Sequence, residues 1–172
     1  LTDSGAKIFI ADSRKAGILE ELKGKVPTRT MLIVDSEEEE TSFNRLITSS
    51  EPIPTVLVEK NDPAVIIYTS AMDGTPLGAV LSHYNLFTNA EAIRAIEGID
   101  KQDRSIAVIP LFHAFGAMVN MLSMIKYGGS MVLMERFETE QLFELLSKHR
   151  VTYMAAVPLI LMSMLAYPQA EK

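Results

Sequence analysis

AVIIYTSAMDGTPLGAVLSH, residues 64–83, is the stretch on which the reading of this chain turns. An apolar run, Ala64 to Tyr68, leads into Thr69, Ser70 and Ala71, then Gly74, Thr75, Pro76 and Gly78, and a second apolar run follows from Ala79 to Leu81. The pattern predicts strand, loop, strand. A loop this short of bulky side chains exposes backbone N–H groups, which can converge on an anion such as a phosphate. A plain hairpin whose glycines serve only the turn has the same pattern.

Working outward toward the start of the chain, Lys7 to Ala11 is a short β-rich run, and Asp12-Ser13 offers a cap for a helix from about Arg14 to Leu22. Met31 to Val34 completes a strand-helix-strand unit. Glu37 to Glu40 has no neighbouring His or Asp cluster and reads as a solvated loop or helix start rather than a metal site. Phe43 to Ile47 is a short helix candidate, and the prolines at 52, 54 and 63 make residues 51–63 a connector with at most an extended piece at Thr55 to Val58.

Toward the end of the chain the elements become regular. Asn85 to Ile96 has apolar residues at helical spacing with Gly98 near its end. Ser105 to Ile109, Met131 to Met134 and Val151 to Ala156 read as strands, separated by helices at His113 to Tyr127 and Glu140 to His149, with a last helix from Pro158 to Ala166. The strands are apolar throughout instead of alternating, which is the mark of a parallel sheet covered on both faces. The expected fold is α/β: a mostly parallel sheet with helices on both faces, plus an antiparallel hairpin. It has three parts: residues 1–60 as the first strand-helix-strand unit and connector, 61–83 as the hairpin, and 84–172 as a βαβα unit.

Composition narrows the function classes. With 172 residues, 48% hydrophobic and 22% charged, the chain has length and apolar content for a packed core. The net charge of −6, with no basic stripe, disfavours nucleic acid as a partner. The absence of cysteine removes disulfides, thiolate catalysis and cysteine-ligated zinc, and fits a reducing, cytoplasmic setting. Residues 105–125 carry no charge and are about long enough to span a bilayer. Pro110, His113, Gly116 and Asn120 interrupt them, so a strand followed by a helix is expected there, not a transmembrane span. Peripheral membrane association stays open.

YTSAMDGTPLGAVLSH resembles the phosphate-loop signature of the adenylate-forming (AMP-binding) enzymes, the acyl- and aryl-CoA synthetases and their luciferase and peptide-synthetase relatives, whose pattern runs roughly YTSGTTGxPKGVxxSH. The matching residues are Tyr68, Thr69, Ser70, Gly74, Pro76, Gly78, Ser82 and His83. PLFHAFG, residues 110–116, resembles the family's P-x-F-H-x-x-G segment, and residues 137–158 are similar to the strand-helix-strand after it. The resemblance is to the acyl-CoA synthetase, long-chain fatty-acid type. It implies activation of a carboxylic acid, a fatty acid being the expected one, by ATP and Mg²⁺ to an acyl-adenylate, then transfer to coenzyme A. It also implies that Thr69, Ser70, Asp73, Gly74, Thr75, Pro76 and Gly78 lie at the phosphates, with Asp73 a candidate Mg²⁺ contact, and that Phe112, His113 and Gly116 lie at the acyl pocket. On residue type alone, His113 reads first as a core or helix-capping histidine.

Four departures bear on that reading. Ala71 stands where the family has Gly, Met72 and Asp73 where it has hydroxyl residues, and Leu77 where it has Lys. A cation at the phosphates is thereby lost and an anion gained, so a working variant and a pseudoenzyme that only binds acyl ligands or partners are both consistent with the loop. A doubly wound binding domain of the flavodoxin type is a third reading; a helix directly after Ser70 would favour it, an antiparallel hairpin the adenylating family. The family's later motifs and C-terminal domain do not occur within these residues, which look cut from something longer. They are expected to be inactive alone and to self-associate through uncovered apolar faces. Met118, Met121, Met124, Met162 and Met164 read as core fillers.

Overall fold

The computed structural model describes residues 1–36, 42–49, 51–70 and 74–168. The Glu37 to Glu40 run and the loop positions Ala71, Met72 and Asp73 lie outside the described residues. The chain divides into two units, Leu1–Val58 and Glu59–Lys172.

In the first unit, β1 (Ile8–Ala11) and β2 (Thr30–Ile33) pair in parallel. A 3₁₀ turn, Ser13–Lys15, runs into α1 (Ala16–Leu22) between them. The Asp12 carboxylate accepts the Arg14 N–H at 3.0 Å and so caps the turn, as the sequence predicts. Ser13 donates its backbone N–H and its hydroxyl to Asp35, at 2.6 and 2.7 Å, tying the start of the turn to the end of β2. A short α2 (Phe43–Ser49) follows. Thr55 to Val58 forms no strand; it is exposed, with Leu57 at 95%.

The second unit opens with the hairpin. β3 (Pro63–Tyr68) and β4 (Gly78–Ser82) pair antiparallel, with Tyr68 opposite Gly78 and Ile66 opposite Val80. The antiparallel pairing favours the adenylating family over the flavodoxin-type alternative, and among the described residues no helix stands between Ser70 and β4. α3 (His83–Glu97) starts at once, because Ser82 and Asn85 form a reciprocal capping box, and stops at Gly98, whose φ of 72° closes the last turn. β5 (Arg104–Ala107) and β6 (Ser130–Leu133) pair in parallel, and α5 (Thr139–His149) and α6 (Pro158–Leu165) follow. The core gathers Ile106, Val108, Ile109, Leu142 and Ile160, with Leu145, Met154 and Met164 packed against it. The fold is α/β, with mixed parallel and antiparallel pairing and flanking helices.

Three details differ from the expectation. The strands form three separate two-stranded sheets among the described residues, not one sheet. The strand expected at Val151 to Ala156 reduces to one bridge between Ser105 and Tyr153. Thr152 and Tyr153 both donate to the Arg104 carbonyl, two residues against one, while the Thr152 hydroxyl takes the Arg104 N–H at 2.9 Å. A side chain has thus replaced the backbone partner that a longer ladder needs. Finally, the helix expected from His113 begins at Ala114 and passes through a π-helical stretch, Gly116–Leu122, before α4 (Ser123–Tyr127).

The Asp103 carboxylate anchors this end of the core: it accepts the Asp100 N–H at 2.8 Å and the Thr152 hydroxyl at 2.7 Å. Those two bonds, the Asp100 N–H first, hold its pKa below the ordinary carboxylate value of 3.8. A depressed pKa contributes stability that is fully present above the unfolded value and is lost as pH falls through the folded one. Unfolding midpoints measured from pH 6 down to pH 2 should therefore drop below about pH 4, and Asp103→Asn should flatten part of that drop while lowering the midpoint at neutral pH.

Candidate functional site

The two segments singled out by the sequence approach one apolar groove. Val65, Ile66, Ile67 and Tyr68 of β3 form one wall, Leu86 of α3 and Leu111-Phe112 contribute next, and Ala117, Met118, Met121 and Leu122 of the π-helical stretch form the other. Its volume is about 510 Å³, and no charged side chain lines it. Phe112 stands on the rim at 90% exposure.

The loop continues from the end of β3. Its base is closed by the Thr69 N–H donating to the Leu77 carbonyl at 3.0 Å and by the Leu77 N–H donating to the Thr69 hydroxyl at 3.2 Å. Thr69, Ser70, Gly74, Thr75, Pro76 and Gly78 are all exposed, and Gly74 has φ +93°, a conformation that L side chains rarely adopt. None of them lines the groove; Tyr68, one residue before Thr69, does. Gly78 has a packing reason of its own, since a Cβ there would meet the Ile66 methyl at 3.0 Å and the Tyr68 ring at 3.2 Å. The sequence shows no Lys or Arg between residues 69 and 78, and Leu77, in the family's Lys position, is 68% exposed.

His113 is exposed and caps the helix that follows: its Nδ1 accepts the Phe115 N–H at 3.1 Å, and its carbonyl accepts the Ala117 N–H at 2.9 Å. With Nδ1 accepting, the neutral ring carries its proton on Nε2, facing away from the cap. Gly116 is buried beneath the site, where a Cβ would lie 2.5 Å from the Pro110 carbonyl oxygen and 2.8 Å from that of Ile109. It is a close-packing position; neither His113 nor Gly116 lines the groove.

Asn120 is 1% exposed and donates from Nδ2 to the Ile106 carbonyl at 2.8 Å, while its Oδ1 has no partner among the described residues. Sequence reasoning used Asn120 only as an interruption of an apolar run. It assigned Met118 and Met121 to the core along with Met124. Met124 is core at 1% exposure, Met162 is 66% exposed on α6, and Met118 and Met121 are half-buried groove wall. Leu86 reads in the sequence only as part of the apolar face of its helix, and Leu111 and Leu122 carry no signal of their own; their apolar character is shared by core positions, and only their place in the groove marks them.

Among the described residues no group of three or more His, Asp or Glu could hold a metal ion, and no helix is long and apolar enough to cross a membrane. What the arrangement can do is hold an apolar ligand between strand and helix, beside a small-residue loop with exposed hydroxyls and main chain.

An α/β domain with a glycine-bearing hairpin loop beside an apolar groove defines the class. The AMP-binding enzyme family matches residues 1–172, and this chain belongs to that family. It is 30% identical over 179 residues to 4-coumarate–CoA ligase 3 of Arabidopsis thaliana, covering 98% of this chain and 31% of the relative. It is 32% identical over 175 residues to benzoate–CoA ligase of Thauera aromatica, covering all of this chain and 33% of that one. The crystal structure of ATP-bound MatB from Rhodopseudomonas palustris superposes with a TM-score of 0.84 at 27% identity, over 97% of this chain and 33% of the other. The chain spans about a third of the length of the relatives it matches.

Proposed function

We propose that these residues form the acid-binding and phosphate-loop portion of an ATP-dependent carboxylate-activating enzyme that makes an acyl-adenylate and then a thioester with coenzyme A. The observation that carries this is the apolar groove between β3 and the π-helical stretch, with the candidate phosphate loop at the end of one wall and Phe112 on the rim. A groove without charge favours an apolar acid, because a buried charge lacking a partner is costly. A fatty acid fits that description. So does a flat aromatic acid, which the names of the two ligases above favour.

Thr69, Ser70, Gly74, Thr75, Pro76 and Gly78 are the residues that would meet the phosphates of ATP, through hydroxyls and main-chain N–H groups. The fit is partial. Exposed hydroxyls and a glycine at positive φ suit an anion, whereas no cation of the loop opposes its charge. Asp73 is the Mg²⁺ contact in this reading, and bound Mg²⁺ would supply the missing positive charge. Phe112 lies against the acid, and the outward Nε2–H of His113 is the donor closest in sequence to it. A cytoplasmic location and self-association through uncovered side chains such as Ile53 and Leu57 belong to the same reading.

Leu77 in place of a Lys favours a second reading, a pseudoenzyme that binds the acid without activating it. One charge at ~4 Å is worth on the order of 4 kcal/mol at an effective dielectric near 20, and exposure reduces that severalfold.

Calorimetric titration of residues 1–172 with cinnamate and decanoate should show binding that Ile66→Asp abolishes at an unchanged melting temperature; equal binding by Ile66→Asp contradicts the groove assignment. Acyl-adenylate should not form from these residues alone. In a longer form that carries the remaining family motifs, pyrophosphate release with either acid supports the working enzyme. No release, together with Mg-ATP binding that tightens roughly tenfold or more in Asp73→Thr/Leu77→Lys, supports the pseudoenzyme.

A further inference from the structure

The groove's helical wall is not α-helical, and the winding has an identifiable cause. A π turn holds one residue more than an α turn, so it rotates the residues after it by about 100° relative to those before it. π winding is rare and needs something to hold it. Three contacts do so here. Gly116 lies where a Cβ would collide with the Ile109 and Pro110 carbonyls, which fixes the start of the stretch against the segment that follows β5. Asn120 ties the middle to the Ile106 carbonyl of β5 at 2.8 Å. The Ser123 hydroxyl donates to the Met118 carbonyl five residues earlier, at 3.3 Å, a span that matches π and not α spacing.

Of these, Asn120 is the one whose chemistry the core does not need. Its Oδ1 is buried without a partner among the described residues, a state an apolar side chain of the same size avoids. Its neighbours on either side, Met118, Met121 and Leu122, form the groove wall. We propose that Asn120 is a positioning residue that sets the acid selectivity of the groove by holding residues 116–122 in π winding. This rests on the reading that the groove takes an apolar acid. Without the tie, the stretch relaxes to α winding. Ser123 and Met124, buried at 0% and 1%, keep α4 in place, so the side chains before them turn and the groove changes shape.

Asn120→Leu removes the donor while keeping the same branched heavy-atom skeleton in a bulkier side chain, and Asn120→Ser, too short to reach the Ile106 carbonyl and free of that added bulk, is the second variant. The first readout needs no ligand: backbone NMR contacts across residues 116–122 should change from i→i+5 to i→i+4. The second is the ratio of dissociation constants for cinnamate and decanoate, which should shift at least fivefold; a merely structural role would weaken both acids by the same factor. Retained π winding in both variants overturns the proposal, as does a lost π winding with an unchanged ratio. Failure of the unsubstituted chain to bind either acid overturns the groove reading and this inference together. Binding by the unsubstituted chain with an unaltered ratio in the variants overturns the inference alone.

Discussion

Gly116 meets the segment after β5 at a distance that leaves room for no side chain, with its would-be Cβ 2.5 Å from the Pro110 carbonyl oxygen. That approach fixes where the helical segment after Phe112 lies. Asn120 makes a second attachment, to β5 itself at the Ile106 carbonyl, and β5 is in turn rooted in the core through Ile106, which is fully buried with Leu142. The position of Met118, Met121 and Leu122 is therefore inherited from the most buried part of the molecule. The wall opposite, β3, is set independently by its register with β4, where Gly78 makes space for the Tyr68 ring. The groove between two such elements is shaped largely by packing behind its walls, at Gly116, Asn120 and Gly78.

The loop beside the groove is built differently. Its base is closed by two hydrogen bonds between Thr69 and Leu77, and its described residues are exposed. Rigid walls and an exposed loop suit a division of labour in which shape selects the acid and the loop meets a charged group. Within the loop motif the chain departs from the family pattern at Ala71, Met72, Asp73 and Leu77.

Much of the architecture was legible because it is local. Gly98 marks the end of α3, Asp12 marks the turn before α1, and the two apolar runs around a small-residue loop mark the hairpin, whereas α3 starts at His83, two residues before the expected Asn85, because the Ser82–Asn85 capping box extends it. The misses come from non-local competition. Thr152 diverts the Arg104 N–H from a backbone ladder, so the strand after α5 shrinks to one bridge. The π winding is held where Gly116 and Asn120 meet residues 106–110, earlier in the chain, which no helical periodicity announces. The methionines divide for the same reason: Met124 and Met121 are alike in sequence, and only their tertiary surroundings decide that one is buried and the other lines the groove with β3.

The methionines also offer the most direct measurement of the central claim, that the groove between β3 and the π-helical stretch is where an acid binds. With methyl-labelled methionine, titration of the chain with an apolar carboxylic acid should move the Met118 and Met121 resonances in step with binding and leave buried Met124 and exposed Met162 in place. Binding that shifts Met162 while Met118 and Met121 stay still would contradict the account.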